Sequence, residues 1–444
     1  MLNTDHITMN IPVTHQTTYG TIYIFKRNCR ASDYGIGTYV KELTSVLKDM
    51  TYNIVIICLE SDRLEFSVEE LDNIQHWHIP LSSYFWSSGK SYNEYYKKIV
   101  ALIRLYIRDT DKFIFHFNSM RDYQLAEYLR EFFNCKILLI VHYLDWSFTL
   151  QGDISRMRRI LTQSKESILD SLEKKALIFF KEDRKLLKYV DHIICLTDYA
   201  RDILCQDYEI ESDKITVINN GVSDKSKTLS DSERTRIKSK YRIDSDEKII
   251  LCAGRLDDIK GIAYLIKAFK KVLEQEPDCR LWIIGDGAYN PLFQEGESIW
   301  NKLCFTGRIR QEQLYELYSI TDIGVIPSLF EPFGYVAIEM MMHSLPLVVT
   351  ATGGLDEIVE EGISGFKISL EKHEEGLFVN TEVLTARILY LLQNPVERIR
   401  LGRNGRKHFL EKYTTALMGE KTADCYQKLI LSFSEKELYP VELK

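Results

Sequence analysis

The sequence predicts an α/β protein of two doubly wound domains that face each other across a cleft. Three observations carry this. Short apolar runs alternate with longer amphipathic segments, the pattern of mostly parallel sheets covered by helices. The alternation stops once, over a polar stretch from Asn219 to Lys248, and then restarts. The chain has 444 residues, more than one hydrophobic core usually organises.

In the first half, "TIYIF" (21–25), "NIVIICL" (53–59), "FIFHF" (113–117), "KILLIV" (136–141) and "HIICL" (192–196) predict buried strands. Helices are expected between them, over "GTYVKELTSVLKDM" and "SYNEYYKKIVALIRLYIR". The stretch "NNGVSDKSKTLSDSERTRIKSKYRIDSDEK" is rich in Asn, Ser, Asp and Lys, the composition of a domain junction. Beyond it, "KIILCAG", "RLWIIG", "KLCFTG", "DIGVIP" and "LPLVVT" each precede a helix-like segment. The expected division is a first domain over 1–215, a second over 216–418, and a terminal helix within 419–444 that packs back on the first domain.

Composition narrows the function classes. The chain is 45% hydrophobic and 27% charged, with a net charge of −7, which argues against general nucleic-acid binding. Its nine cysteines are scattered singly, with no C-x-x-C, as in reduced intracellular thiols. The N-terminus lacks a basic flank followed by an apolar block, and no run approaches the roughly 18 apolar residues of a spanning helix. A cytoplasmic protein, or one at the cytoplasmic face of a membrane, is expected.

Ligands of doubly wound sheets lie at the carboxyl ends of strands, so chemistry is sought there. "CAGRLDDIKG" places Arg255 and Lys260 around a turn that opens a helix, where cations and backbone N–H groups suit an anion. Gly285 and Gly287 in "IIGDGAY", and Thr306, Gly307 and Arg308 in "FTGRI", also end strands. Gly35 and Gly37 in "DYGIGTYV" precede a helix without completing G-x-G-x-x-G, since Val40 holds the last position. His142 ends a strand in "LLIVHYLDW"; it can bond substrate hydroxyls or carry protons. Taken singly, each of these reads more readily as an ordinary turn, a solvated charge or a satisfied histidine.

The stretch "SLFEPFGYVAIEMMM" holds two glutamates. Pro332 and Gly334 keep Glu331 in a loop, with a helix from about Tyr335. The amides of Phe333, Gly334 and Tyr335 would then point out of a helix start. Glu339 lies about one turn in, on an otherwise apolar helix, and a carboxylate heading inward needs a partner. Gly353 and Gly354 precede a further helix start.

In this order the residues resemble the retaining glycosyltransferases of family 4, with their GT-B fold of two Rossmann-like domains. The resemblance is strongest from about Lys248 to Phe366. Its most specific part is E-P-F-G-x-x-x-x-E at Glu331 and Glu339, beside G-R-x-x-x-x-K-G at Gly254–Gly261 and the joining segment "VINNGV" (217–222). The resemblance implies a nucleotide-diphosphate sugar, such as a UDP- or GDP-sugar, bound as substrate with no further cofactor. Arg255 and Lys260 would hold the diphosphate, with Gly35 and Gly37 approaching it from the first domain. Glu339 would take the ribose. Glu331 and the Phe333–Gly334 amides would grip the sugar, and His142 would touch it from the first domain. Gly285, Gly287, Thr306 and Arg308 would flank the base. Glu331, His142, Arg255 and Lys260 make up the implied catalytic set. The leaving phosphate would accept the acceptor's proton.

The acceptor stays open among glycans, lipid-linked glycans, small molecules and peptides. No metal is expected: the D-x-D strings at Asp109–Asp111 and Asp244–Asp246 do not lie at strand carboxyl ends. The basic-leaning region after Trp146 either meets an anionic membrane or acidic acceptor, or is a solvated helix. The aromatic stretch "WHIPLSSYFWSSGKSYNEYY" either stacks on sugars or packs in the core. Competing functions are an epimerase or phosphorylase on the same fold, and a catalytically idle sugar-binding module.

Overall fold

The computed structural model describes residues 20–28, 34–50, 52–81, 92–109, 112–163, 166–373 and 376–433. The first sheet contains β1 (Gly20–Arg27), β2 (Tyr52–Ser61), β3 (Ser67–Leu71), β4 (Ile74–Pro80), β5 (Phe113–Phe117), β6 (Lys136–Val141), β7 (His192–Cys195) and β8 (Ile215–Val217). Its order is β3-β4-β2-β1-β5-β6-β7-β8, parallel except where β3 pairs antiparallel with β4. The second sheet contains β9 (Lys248–Ala253), β10 (Cys279–Ile284), β11 (Leu303–Gly307), β12 (Ile323–Ile326), β13 (Leu347–Thr350) and β14 (Gly365–Ile368). Its order is β11-β10-β9-β12-β13-β14. A separate antiparallel pair joins β15 (Leu370–His373) to β16 (Gly376–Val379).

Parallel strands covered on both faces read as continuous apolar runs, and every residue of β5 and of β12 is buried. Strand order reverses around β1 in one sheet and around β9 in the other. Loops diverge at such reversals and leave a crevice at the carboxyl ends of the strands. The loops after β5 and β6 and the start of the helix Gly35–Leu47 therefore meet the loops after β9 and β12.

The chain crosses between the domains twice, and Val222 pairs with Thr414 where the crossings meet. Glu42, on the helix Gly35–Leu47, holds both. It accepts the Ser223 N–H at 2.9 Å, the Ser223 hydroxyl at 2.6 Å and the Thr415 hydroxyl at 2.6 Å. The terminal helix Thr415–Leu431 then returns to the first domain. Tyr426 bonds the buried His116 Nδ1 at 2.5 Å, and the Tyr52 hydroxyl donates to the Ala423 carbonyl at 3.1 Å. Burial pushes the His116 imidazole down to about 3, so it is neutral and needs that partner. Tyr426→Phe is expected to lower stability by about 1–3 kcal/mol, read as a lower denaturation midpoint.

Several expectations change here. The polar junction also contains a helix, Asp231–Lys240, opened by a Ser230–Glu233 capping box. Arg234 on that helix donates to the Ser319 and Ile320 carbonyls at 3.1 and 2.9 Å. In the basic-leaning region after Trp146 the three arginines of the helix Ile154–Thr162 are ion-paired. Arg156 meets Asp170 and Glu173 at 2.5 and 3.0 Å, Arg158 meets Asp207 at 2.9 Å, and Arg159 pairs with Glu173. Of the aromatic stretch, Trp77, Tyr95 and Tyr96 are core, and 82–91 lie outside the described residues. Asp109 accepts from the hydroxyls of Thr21 and Tyr23 at 2.8 and 2.5 Å, a tie within the sheet; positions 110 and 111 lie outside the described residues. Among the described residues no helix is long and apolar enough to cross a membrane, and no group of three or more His, Cys, Asp or Glu is placed to hold a metal.

Candidate functional site

The loops after β9 and β12 are locked together at the crevice. Gly261 has φ +64°, and a Cβ there would lie 2.0 Å from the Pro327 carbonyl oxygen, so only glycine permits the approach. Leu329 N–H donates to the Ile259 carbonyl at 2.7 Å. This contact brings Lys260 to Glu331, and their side chains form a close ion pair. Arg255 pairs with Asp257 at 3.2 Å. Gly334, at φ +123°, makes the turn into the helix Tyr335–Met342. Phe330 crosses to the first domain, its ring 5.7 Å from that of Phe148.

A cavity of about 370 Å³ lies between the domains, within the range of small-molecule sites. Of the predicted residues, Gly35, His142, Arg255, Lys260, Glu331, Phe333 and Gly334 line it. A smaller space of about 90 Å³ adjoins it in the first domain, shares Ile36, His142, Tyr143 and Asp145 with it, and has Arg27, Asn118, Arg121 and Asp122 among its other lining residues. Arg27 there is held between Glu60 and Asp122. Arg121 grips Asp145 through two bonds of 2.9 and 2.6 Å.

His142 is 9% exposed, and burial pushes its imidazole down to about 3. Asn118 donates its amide N–H to the Phe25 carbonyl at 3.1 Å, so its oxygen faces His142 Nε2 at 2.9 Å. The imidazole therefore carries its proton on Nε2 and leaves Nδ1 as an acceptor. A neutral imidazole with that pKa bonds hydroxyls; it does not carry protons near neutrality.

The remaining predicted residues lie away from the cavity lining. Gly37 is the third residue of the helix Gly35–Leu47. Gly285 and Gly287 have φ +141° and +146°, and a Cβ on either would strike a backbone oxygen, Gly254 O at 1.7 Å or Leu256 O at 2.5 Å. These glycines zip the loops after β9 and β10 together, which is reason enough for them. The Thr306 hydroxyl turns to the Gly307 carbonyl at 2.8 Å. Arg308 lies 5.1 Å over the Tyr34 ring, and the Tyr34 hydroxyl donates to Asp286 at 2.6 Å. That cluster joins the two domains beside the cavity.

Glu339 is buried and accepts from the Tyr315 hydroxyl at 3.0 Å. Burial raises its carboxyl to about 7, against the pull of the Tyr315 bond. A carboxyl raised above its unfolded value stabilises the fold fully below the unfolded pKa, and this is lost as pH rises through the folded one. Between about pH 4.5 and 7 the wild type should therefore lose stability relative to Glu339→Gln, by up to about 3 kcal/mol. Melting curves of both across that window are the check; parallel curves would place the titration elsewhere.

Polar lining residues that carried no assignment from the sequence include Tyr34, Tyr143, Asn220 and Ser328. Ser328 ends the β12 run and so met the strand-end rule that selected His142. Asn220 lies inside "VINNGV", where only the joining role was read.

Residues 34–226 match the family model described as Glycosyltransferase Family 4, and residues 233–408 match that described as Glycosyl transferases group 1. The chain is 30% identical over 240 residues to an uncharacterized glycosyltransferase of Methanocaldococcus jannaschii, covering 53% of this chain and 59% of that one. It is 25% identical over 251 residues to the alpha-D-kanosaminyltransferase of Streptomyces kanamyceticus, covering 56% and 63%. It is 32% identical over 183 residues to the mannosylfructose-phosphate synthase of Agrobacterium fabrum, covering 39% and 40%. Each match spans less than two thirds of the relative's own length. Among solved structures, a sucrose-phosphate synthase from Thermosynechococcus elongatus superposes with a TM-score of 0.71 at 20% identity, over 93% of this chain and 100% of that one. Anabaena HepE in complex with UDP gives 0.68 at 14% identity, over 92% and 100%. At those identities the likeness is one of fold. With one family model on each domain and the two-domain architecture shared over nearly its whole length, the chain belongs to glycosyltransferase family 4 and has the GT-B fold.

Proposed function

We propose that the protein transfers a hexose-type sugar from a nucleotide-diphosphate sugar to a hydroxyl acceptor, with retention and without a metal. The observation that carries this is the convergence of Arg255, Lys260, Glu331 and the Phe333–Gly334 turn on one interdomain cavity. HepE, a structural neighbour, was solved with UDP-glucose, which supports a nucleotide-sugar donor.

Breaking the anomeric C–O bond leaves positive charge on the sugar and negative charge on the departing diphosphate. Arg255 and Lys260 stand where preformed cations can meet that negative charge, typically a few kcal/mol per donor, and they do the work that a metal does elsewhere. In the structure Lys260 is paired with Glu331. A diphosphate would take Lys260 and turn Glu331 toward the sugar hydroxyls, so the pair exchanges one partner for two. His142, neutral, would accept from a sugar hydroxyl at Nδ1. The proton of the acceptor would go to the leaving phosphate, on the face that the phosphate vacates. Both carboxylates of E-P-F-G-x-x-x-x-E then act as hydroxyl clamps, unlike glycosidase carboxylates, which flank the scissile bond about 5–10 Å apart. Glu339 would serve the ribose through its outward side, with Tyr315 holding the other oxygen. The small space beside Arg27 and Arg121 would admit the acceptor hydroxyl.

Nucleoside diphosphate release from a panel of UDP- and GDP-sugars, with candidate acceptors, tests the reading. Release is expected from at least one donor, unchanged by EDTA, with an α-linked product from an α-linked donor by NMR. No turnover of any donor, or an inverted product, would overturn it.

A further inference from the structure

Among the described residues that line the cavity, Ser328, Asn220 and Tyr335 each carry a buried polar atom with no partner within the protein, and the first two are short side chains at loop positions. Ser328 and Asn220 are each 1% exposed, and both line the cavity. Neither the Ser328 hydroxyl oxygen nor the Asn220 side-chain oxygen makes a hydrogen bond. Native structures pair nearly all such atoms, and each exception asks for a reason.

Their backbones are pinned, so rotation of the surrounding chain does not relieve them. The Ser328 carbonyl accepts from the Thr350 hydroxyl at 2.5 Å, and the next N–H is tied to Ile259 at 2.7 Å. Asn219, beside Asn220, spends its amide on the Leu196 carbonyl at 2.8 Å. On the other side, Gly221 packs so closely on the Thr414 backbone that a Cβ would lie 2.3 Å from the Thr414 carbonyl oxygen. The two residues come from different segments, the end of β12 and the first crossing between domains, and they reach the same cavity.

We infer that Ser328 and Asn220 are hydroxyl-reading residues for the transferred sugar ring, since the protein itself offers these atoms no partner and a pyranose would. The inference rests on the donor reading of the cavity and adds specificity residues to it. They share the cavity with Glu331, whereas Gly285, Gly287, Thr306 and Arg308, expected beside the base, do not line it. Arg255 and Lys260, assigned to the diphosphate, line it too, so the chemistry of the two side chains decides between sugar and phosphate. A hydroxyl offers both a donor and acceptors, so it satisfies the serine and the amide alike, where a phosphate oxygen would repel the unpaired amide oxygen.

A group reserved for a ligand has an unusual signature: removing it spares or raises the stability of the protein alone and weakens the complex. The test compares wild type, Ser328→Ala and Asn220→Ala by thermal melting and by titration with UDP, GDP, UDP-glucose and GDP-mannose. Ser328→Ala is expected to melt no lower than wild type and to bind UDP or GDP within about twofold. Its affinity for the sugar nucleotide that wild type prefers should fall about five- to tenfold. Asn220→Ala, which also leaves a small void, serves as the second measure through its loss of sugar nucleotide relative to nucleotide alone. A lower melting temperature for Ser328→Ala would mean that the hydroxyl is already satisfied, and would overturn the inference. Equal sugar-nucleotide affinity in wild type and both variants would overturn it while leaving the donor site standing. Failure of wild type to bind any of the four probes would remove both.

Discussion

Lys260→Met is expected to fold normally and to lose about 10²–10³-fold in kcat/KM for the nucleotide sugar. The loop that carries Lys260 is built by backbone contacts, namely Gly261 against Pro327 and Leu329 against Ile259, and these do not need the ammonium group. Its partner Glu331 is only partly buried, with 17% of each side chain exposed, so water can replace the lost contact. The melting temperature should therefore move by no more than a few degrees. What disappears is one of the two cations proposed to meet the departing diphosphate. Because the nucleotide carries the same diphosphate, the affinity for UDP or GDP should fall along with the rate. Stopped-flow or steady-state kinetics beside calorimetric titration would show the two losses together. A Lys260→Met enzyme of wild-type rate would detach Lys260 from the leaving group.

Glu331→Gln should produce an equally large loss of transfer with the opposite effect on nucleotide binding. The substitution removes the carboxylate proposed to grip the sugar hydroxyls, for an expected loss of about 10²–10³-fold in kcat/KM. It also releases Lys260 from its ion pair, so UDP or GDP, which carries no sugar, should bind as tightly as to wild type or more tightly. This divergence follows from the pairing of the two residues and from nothing in the motif alone. Both residues act on one ligand, so the double variant should lose less than the sum of the two single losses. Weaker nucleotide binding in Glu331→Gln would show that the pair assists the diphosphate and does not compete with it.

The strand-end rule carried the sequence a long way. Arg255, Lys260, Glu331 and His142 follow β9, β12 and β6, and the reversals of strand order at β1 and β9 bring them to one cavity. The ten apolar runs singled out all became strands, because a parallel strand buried on both faces leaves an unbroken apolar signal. β3, "SVEEL", and β15, "LEKH", left no such signal; they are exposed edge elements with charged residues. β8 has three residues, too few for any period.

The predicted site residues that do not line the cavity have neighbours set by tertiary contacts. Gly285 and Gly287 announce a close backbone approach, but the approaching atoms are the Gly254 and Leu256 oxygens of a neighbouring loop. Glu339 needs a partner, as expected for a carboxylate on an apolar helix, and Tyr315 supplies it from 24 positions away. The ion pairs of Arg156, Arg158 and Arg159 likewise join positions 14 to 49 apart, so a count of cations overstated the basic character of that region. Ser328 and Asn220 escaped notice because an unpaired polar atom is defined by what fails to approach it.

The donor assignment meets its most direct test in calorimetric titration of UDP and GDP into wild type and Lys260→Met, with uridine and guanosine as controls. At least one nucleoside diphosphate should bind wild type, its nucleoside far more weakly, and Lys260→Met should lose most of that difference. If neither diphosphate binds, or if Lys260→Met binds as wild type does, the interdomain cavity is not the seat of the donor diphosphate.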